Sequence, residues 1–418
     1  MKIPTLVVLL GLLLSQSGLA KDVAKARAAS QGMSSDRLER MAAMNQRYVD
    51  EGKLAGVMTM VARNGKILHI SAKGSYGVDN DKPYAEDTLF RIYSMSKPIT
   101  AVALMTLYEE ASFQLSDPLS KFFPDFEEMQ VWKTDHYEEA GGQITMHQLL
   151  THTSGLTYGF HRNTPVDARY QDDQILGSES LDEFMEKLAK IPLLFEPGER
   201  WHYSVASDVL GAVIEKISGQ SLHQFLRERL FDPLDMDDTF FVVPEDKLAR
   251  LATNHRWDAE SEKLIAIPWE SPANSSYKGS RMFSGGGGLV SSIHDYMKFA
   301  EMLRNGGSLH GATILGAKTI EYMTMNHLAA TVQATGSGES PLARSRTFYG
   351  GSGFGLGFGV VTNPAQRGVI SSTGEYSWGG AAGTIFWIDP VEEVVAIGMI
   401  QLMGSPWPFR NEMKILTY

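Results

Sequence analysis

No cysteine occurs among the 418 residues of the chain. That absence removes disulfides, thiol catalysis, thiolate metal sites and a lipid-modified cysteine anchor together. The sequence also lacks the Gly-x-Ser-x-Gly elbow that marks the α/β-hydrolase fold, and the His-Glu-x-x-His of zinc peptidases. His147 and His152 lie five positions apart, a spacing that does not stack on one helix face, so no metal site is expected. Positive charge is scarce as well. Against 49 Asp and Glu stand 38 Lys and Arg, a net charge of -11, and no basic stripe offers itself to nucleic acid. No repeat of fixed period is present.

What is there describes an ordinary globular protein, with 43% hydrophobic and 21% charged residues. The length exceeds the usual single domain, so a large domain carrying an inserted lobe, or two domains, is expected. Residues 1–20 differ from the rest. Lys2 is followed by an apolar run from Leu6 to Leu14, broken only by Gly11, and by small residues ending at Ala20. This reads as a secretory signal, too short to span a bilayer and cleaved after Ala20. The mature protein is expected in the periplasm or outside the cell, with no stable membrane span once the signal is gone.

From Ser34 to Leu54 the pattern is helical, with Leu38, Met41, Met44 and Tyr48 on one stripe. Val57–Arg63 and Lys66–Ile70 flank Asn64-Gly65, which supplies the positive φ values of a type I′ hairpin turn. Residues from about 110 to 264 read as helices and loops. Within them a short helix covers the stretch after Ile144 and stops at Gly155. Val209, Val213 and Ile217 form a stripe ending at Gly219, and Leu222, Phe225, Leu226 and Leu230 form a second. Glu127, Glu128, Asp135, Glu138 and Glu139 cluster there as a solvated face. Strand signals return in Phe354–Val361, and in Gly383–Ile388 with Val394–Ile400 around the turn at 389–393. The Gly/Ser-bearing stretch 329–346 reads as a loop. The expected fold is α/β, of the α+β kind: an antiparallel sheet built from both chain ends and flanked by helices, with an inserted mainly helical lobe. The sheet lobe would span about 30–109 and 265–418, and the helical lobe about 110–264.

The stretch that organises the chain is Leu89–Leu107. Ser94 and Lys97, three positions apart at a helix start, share a face, so the amine can reach the hydroxyl and take its proton. The pattern alone is weak, because a second copy runs from Ser275 to Lys278. Context separates them. Ser94 follows the strand-like Leu89–Tyr93 and precedes an apolar helix, with Pro98 in its first turn where a missing N–H costs least, whereas Ser275 sits in loop composition. A free lysine near pKa 10.4 is protonated at neutral pH, so a second proton carrier is needed. Glu196-Pro197-Gly198 turns the chain and delivers Tyr203 just before the Val209 helix.

With these motifs the sequence resembles the serine β-lactamase-like hydrolases, which include class C β-lactamases, penicillin-binding D,D-peptidases and family VIII carboxylesterases. The resemblance covers essentially the whole mature chain and implies a β-lactamase/transpeptidase-like fold. It maps the S-x-x-K motif onto Ser94 and Lys97 and the tyrosine motif onto Tyr203. It also places a helical-lobe signature on Leu149–Leu156, in which His152 reads as structural. Where the third motif carries Lys-Thr-Gly, this chain has Trp378-Gly379-Gly380, the variant seen in family VIII esterases. By the same resemblance the backbone N–H groups of Ser94 and Ala381 form the oxyanion hole, and Ser284–Leu289 is a loop near the site. Those glycines read as close backbone packing, since no Lys-Ser/Thr follows in P-loop register. The amide side chain two positions after the tyrosine in β-lactamases and D,D-peptidases is missing, since Ser204-Val205 follows Tyr203.

The expected activity is therefore acyl transfer by an exported serine hydrolase, most readily on small or medium neutral carboxylic esters. Ser94, Lys97 and Tyr203 would be catalytic, and Trp378, Gly379 and Gly380 would line the substrate. Trp201 and Tyr376 would add apolar wall if they face the cleft. No cofactor is expected, and the partner is a small-molecule ester or amide. A β-lactamase or D,D-carboxypeptidase is the first alternative, and a non-catalytic penicillin-binding-like sensor or scaffold is the second.

Overall fold

The computed structural model describes residues 22–160, 162–268, 282–330, 332 and 350–418. The signal at 1–20, the second Ser-x-x-Lys copy at 275–278 and most of the 329–346 stretch lie outside them.

Helix α1 (Ser35–Asp50) starts where the Ser34 side chain accepts the Arg37 N–H, and it buries Leu38, Met41, Met44 and Tyr48. Strands β1 (Gly56–Arg63) and β2 (Lys66–Gly77) follow, joined by Asn64 and Gly65 at φ 52° and 72°. The expected I′ turn is therefore present, and β2 runs seven residues beyond Ile70 before β3 (Asn80–Pro83). Next come the short β4 (Leu89–Arg91) and α2 (Ser96–Glu109), which is buried from Ser96 to Leu107. The inserted part contains α3 (Met146–Leu150) and α4 (Ala206–Ser218), the latter ending on Gly219 at φ 71°. Two small hairpins, Gln130–Lys133 with His136–Glu139 and His255–Asp258 with Lys263–Ala266, join the helices there, and the five acidic residues of the 127–139 cluster are exposed.

After β5 (Val290–Ser292) and α5 (Ile293–Arg304) the chain completes its sheet with β6 (Ser352–Phe354), β7 (Gly359–Val361), β8 (Tyr376–Gly379), β9 (Ile385–Asp389) and β10 (Val394–Met399). Helix α6 (Phe409–Thr417) closes it. The sheet has eight strands in the order β6-β7-β8-β9-β10-β1-β2-β3, all neighbours antiparallel. The two ends of the chain meet where β1 pairs with β10, Met60 opposite Ile397. Alternation along β1 then sorts the core. Val57 and Val61 face the cluster holding α1 and α6, while Met58, Met60 and Ala62 face the cluster holding α2 and α5.

Two local expectations are corrected. The helix expected to reach Gly155 ends at Leu150, because the Thr151 hydroxyl turns back to the His147 carbonyl and His152 adopts a left-handed φ of 55°. The stretch Phe354–Val361 is not one strand but the hairpin β6–β7. Its alternation comes from glycines at the tip, where Gly357 has φ 91° and donates to the Leu150 carbonyl.

Candidate active site

The turn bearing Ser94 is fixed before the helix begins. Strand β4 pairs with β5, and the Gln401 side chain spans both sides of Arg91, accepting from its N–H at 3.2 Å and donating to its carbonyl at 3.0 Å. Tyr93 then takes φ 45°, a conformation a bulky residue adopts only when its surroundings enforce it. Its hydroxyl accepts a 2.6 Å bond from Asn254. A 3-10 turn over Tyr93–Met95 carries Ser94, and Lys97 follows in the first turn of α2.

Lys97 is almost wholly buried, and its Nζ donates to the Gly286 carbonyl at 2.5 Å and the Tyr158 hydroxyl at 2.8 Å, with the Ser94 Oγ at 3.3 Å. The glycine loop sits where the sequence placed it, packed on backbone. A Cβ on Gly285 would stand 2.5 Å from the Ser207 carbonyl, and one on Gly286 would stand 2.4 Å from the Asp208 carboxylate. Asp208 Oδ1 in turn accepts from Gly286 N–H at 3.0 Å and from the Ser284 hydroxyl at 2.5 Å, while its Oδ2 has no hydrogen-bond partner among the described residues.

Tyr203 stands over the amine, its ring centroid 4.7 Å from Lys97 Nζ. It is walled by His152 at 5.0 Å, Tyr158 at 5.2 Å and Trp378 at 5.5 Å, with Trp201 stacked behind at 6.2 Å. Phe354 closes the same cluster against His152, Trp201 and Trp378. At the mouth the exposed Phe160 stacks face to face on Tyr158, 4.6 Å apart. The result is an amine and a hydroxyl at the foot of an aromatic wall.

The electrostatics follow from burial. Desolvation pushes the Tyr158 phenol well above its ordinary pKa, with the Tyr203 and Asp208 charges adding in the same direction, so it stays an O–H. Burial also raises the Asp208 carboxyl in spite of Lys97. His152 is pushed well below the ordinary imidazole range by burial, with Lys97 and His202 charges adding to the effect. It is a neutral ring, 3.2 Å from the Ser204 hydroxyl, which suits the structural role read for it.

Strand β8 brings the third segment. Trp378 lies in the aromatic cluster, and the strand end passes so close to the serine turn that a Cβ on Gly380 would be 2.4 Å from the Ile92 carbonyl. Gly380 N–H is tied to the Thr384 carbonyl, whereas Ala381 N–H makes no hydrogen bond among the described residues. Tyr376 does not join them. It is buried edge-on against Phe358, away from the cleft that Trp201 does help to wall. Three residues of the site were not anticipated from sequence: Tyr158, which takes a hydrogen bond from Lys97; Asp208, which fixes the glycine loop; and Arg410, which reaches Gly380 from α6.

Comparison with known proteins bears on the family and the fold. The Beta-lactamase family profile matches residues 41–414. Protein Rv1367c of Mycobacterium tuberculosis is 33% identical over 363 residues, covering 84% of this chain and 87% of its own length. Esterase EstB of Burkholderia gladioli is 31% identical over 366 residues, covering 84% of this chain and 86% of its own. Among solved structures, EstCE1, described as a hydrolase with promiscuous acyltransferase activity, superposes with a TM-score of 0.77 at 26% identity, covering 92% of this chain and 99% of that one. With the S-x-x-K turn, the eight-stranded sheet and these relatives taken together, the chain belongs to the beta-lactamase family and is a serine hydrolase of that fold.

Proposed function

We propose that the protein is an exported carboxylesterase acting through an acyl-enzyme on small or medium neutral esters. The observation that carries the reading is the Lys97 amine, 3.3 Å from the Ser94 hydroxyl at the foot of an aromatic wall. A neutral amine has two N–H bonds and one lone pair. With the N–H bonds directed at the Gly286 carbonyl and the Tyr158 oxygen, the lone pair is left to take the Ser94 proton. Ser94 Oγ then attacks the ester carbonyl, and the N–H groups of Ser94 and Ala381 receive the oxyanion. Tyr203 gives its phenolic proton to the departing alkoxide and regains one from the Lys97 ammonium, and water, activated by the amine so restored, releases the acid. The substrate class rests on Trp378, standing where the resemblance puts a lysine in β-lactam- and peptide-processing members. An indole offers one neutral donor and a large apolar face in place of a cation. Similarity to an esterase supports this reading, and similarity to EstCE1 favours a second, in which an alcohol instead of water takes the acyl group.

The test uses the exported enzyme, whose mature chain is expected to start at Lys21 by N-terminal sequencing. It should hydrolyse short-chain p-nitrophenyl esters and label at Ser94 with a fluorophosphonate, while Ser94→Ala does neither. A kcat/KM for a chromogenic cephalosporin tenfold above that for the ester would replace the esterase reading with a β-lactamase. A folded protein that does not label would be a scaffold.

A further inference from the structure

Arg410 lies in the first turn of α6, where the helix dipole disfavours a cation, and among the described residues no carboxylate pairs with it. Among the described residues its hydrogen bonds all go to backbone carbonyls. Nη2 donates to the carbonyls of Gly380 at 2.5 Å and Thr384 at 2.9 Å, and Nε to that of Gly383 at 3.4 Å. These oxygens belong to the tight turn after β8, closed by Gly383 N–H to the Gly380 carbonyl and held open by Gly383 at φ 91°. Ala381, whose N–H makes no hydrogen bond among the described residues, is inside that turn. Gly379 makes the approach possible, because a Cβ there would lie 2.8–2.9 Å from the guanidinium carbon and both of its terminal nitrogens.

Three carbonyl dipoles pointing inward at one spot repel each other unless a donor-rich cation sits there, and the planar guanidinium is the side chain that meets several acceptors at once. We propose that Arg410 is a positioning residue that holds the 380–384 turn so that the Ala381 N–H faces the oxyanion above Ser94. This rests on the proposed acyl-enzyme reading and adds to it a requirement carried by the last helix. The docking of α6 itself depends on Phe409 and Met413, which are buried in the sheet cluster, so the guanidinium can be removed while the helix remains. The turn keeps other ties, from Leu402 N–H to the Ala382 carbonyl, from Gly404 N–H to the Ala381 carbonyl and from the Thr384 hydroxyl to the Ile92 carbonyl, which explains why the loss should be partial.

Arg410→Ala should lower kcat for a neutral p-nitrophenyl ester by roughly 10–100-fold, less than the 10²–10³ that follows removal of an oxyanion donor outright, with KM within about threefold. Guanidinium chloride in the tens of millimolar should restore part of the rate saturably, where sodium chloride at equal ionic strength does not. Gly379→Ala keeps the arginine but places a methyl where the guanidinium lies. It should show the same fall in kcat without rescue, and it serves where Arg410→Ala does not fold. Full activity in Arg410→Ala alongside an inactive Ser94→Ala would overturn this role and leave the acyl-enzyme reading intact, while an active Ser94→Ala would overturn that reading itself. A loss confined to an ester carrying a free carboxylate, such as a p-nitrophenyl monosuccinate, would also overturn it, since Arg410 would then be an anchor for substrate charge.

Discussion

Tyr158 shows what one side chain can change in the proton path. Its hydroxyl is nearer to Lys97 Nζ than the serine is, 2.8 Å against 3.3 Å, and its raised pKa keeps it a neutral O–H that can pass a proton without holding a charge. Tyr158→Phe would leave one Lys97 N–H without an acceptor in a buried site, a penalty of about 1–3 kcal/mol, and would free the amine to turn away from Ser94. We expect kcat to fall by roughly 10–100-fold on conversion of that energy to rate, and the acidic limb of the pH–rate profile to move. Tyr203→Phe should cost at least about 10². Unchanged kcat and pH profile in Tyr158→Phe would reduce it to packing. Ser94 and Lys97 were legible because they lie three positions apart where the serine turn runs into α2, which makes neighbours of them by local geometry. Tyr158 stands 61 residues from Lys97, and only the tertiary fold joins them, so no period or turn in the sequence could expose it. The same holds for the left-handed Tyr93, whose hydroxyl is bonded by Asn254 and whose neighbour Arg91 is bonded by Gln401, both from distant segments.

Among the elements, helix α2 and hairpin β6–β7 were read with opposite success for one physical reason. A helix apolar on nearly every side has few places to go but the core, and α2 is buried along most of its length. Alternating glycine and apolar residues in Phe354–Val361 satisfy a strand pattern equally well as a turn, and the turn wins because its tip has a partner. Gly357 donates to the Leu150 carbonyl, and its Cα lies so close to α2 that a Cβ would be 2.5 Å from that of Ala101. Gly357→Ala would therefore meet two costs, a side chain at φ 91° and a collision with the helix that carries Lys97. Together these should destabilise the protein by about 2–4 kcal/mol, read as a lowered urea midpoint. Ala101→Gly in the same background should recover part of it, since it removes the methyl that is struck. A Gly357→Ala midpoint equal to that of the parent would show that the hairpin tip is free to move off α2.

At the scale of the whole molecule, the closure of the sheet by both chain ends was legible, since strand signals cluster at either end with helices between. What secures that closure was not, because it is a buried ionic network. Glu375, fully buried just before β8, accepts from Lys414 of α6 and, at 3.3 Å, from Arg367, while the Tyr418 hydroxyl donates to the buried Asp389 at 2.6 Å. Desolvation outweighs the attraction within the pair. It raises the Glu375 carboxyl and lowers the Lys414 amine to about 8. A lysine whose folded pKa is depressed from about 10.4 contributes stability that is present above pH 10.4 and is lost as pH falls through 8, because the unfolded chain binds the proton first. Removing one member of the pair leaves a buried carboxylate with Arg367 as its remaining cation. Lys414→Met at pH 7 should thus cost about 3 kcal/mol, the low end for breaking a buried pair, and Lys414→Met with Glu375→Gln should recover most of it, because an uncharged pair needs no compensation. Between pH 8 and 10 the parent should also gain stability relative to Lys414→Met, following the sign above. Urea unfolding of the three proteins across that range decides the matter. A Lys414→Met variant within about 1 kcal/mol of the parent at pH 7, with no divergence toward pH 10, would mean that apolar packing of Phe409 and Met413 alone holds the last helix, and that the ionic network adds nothing to the closure of the sheet.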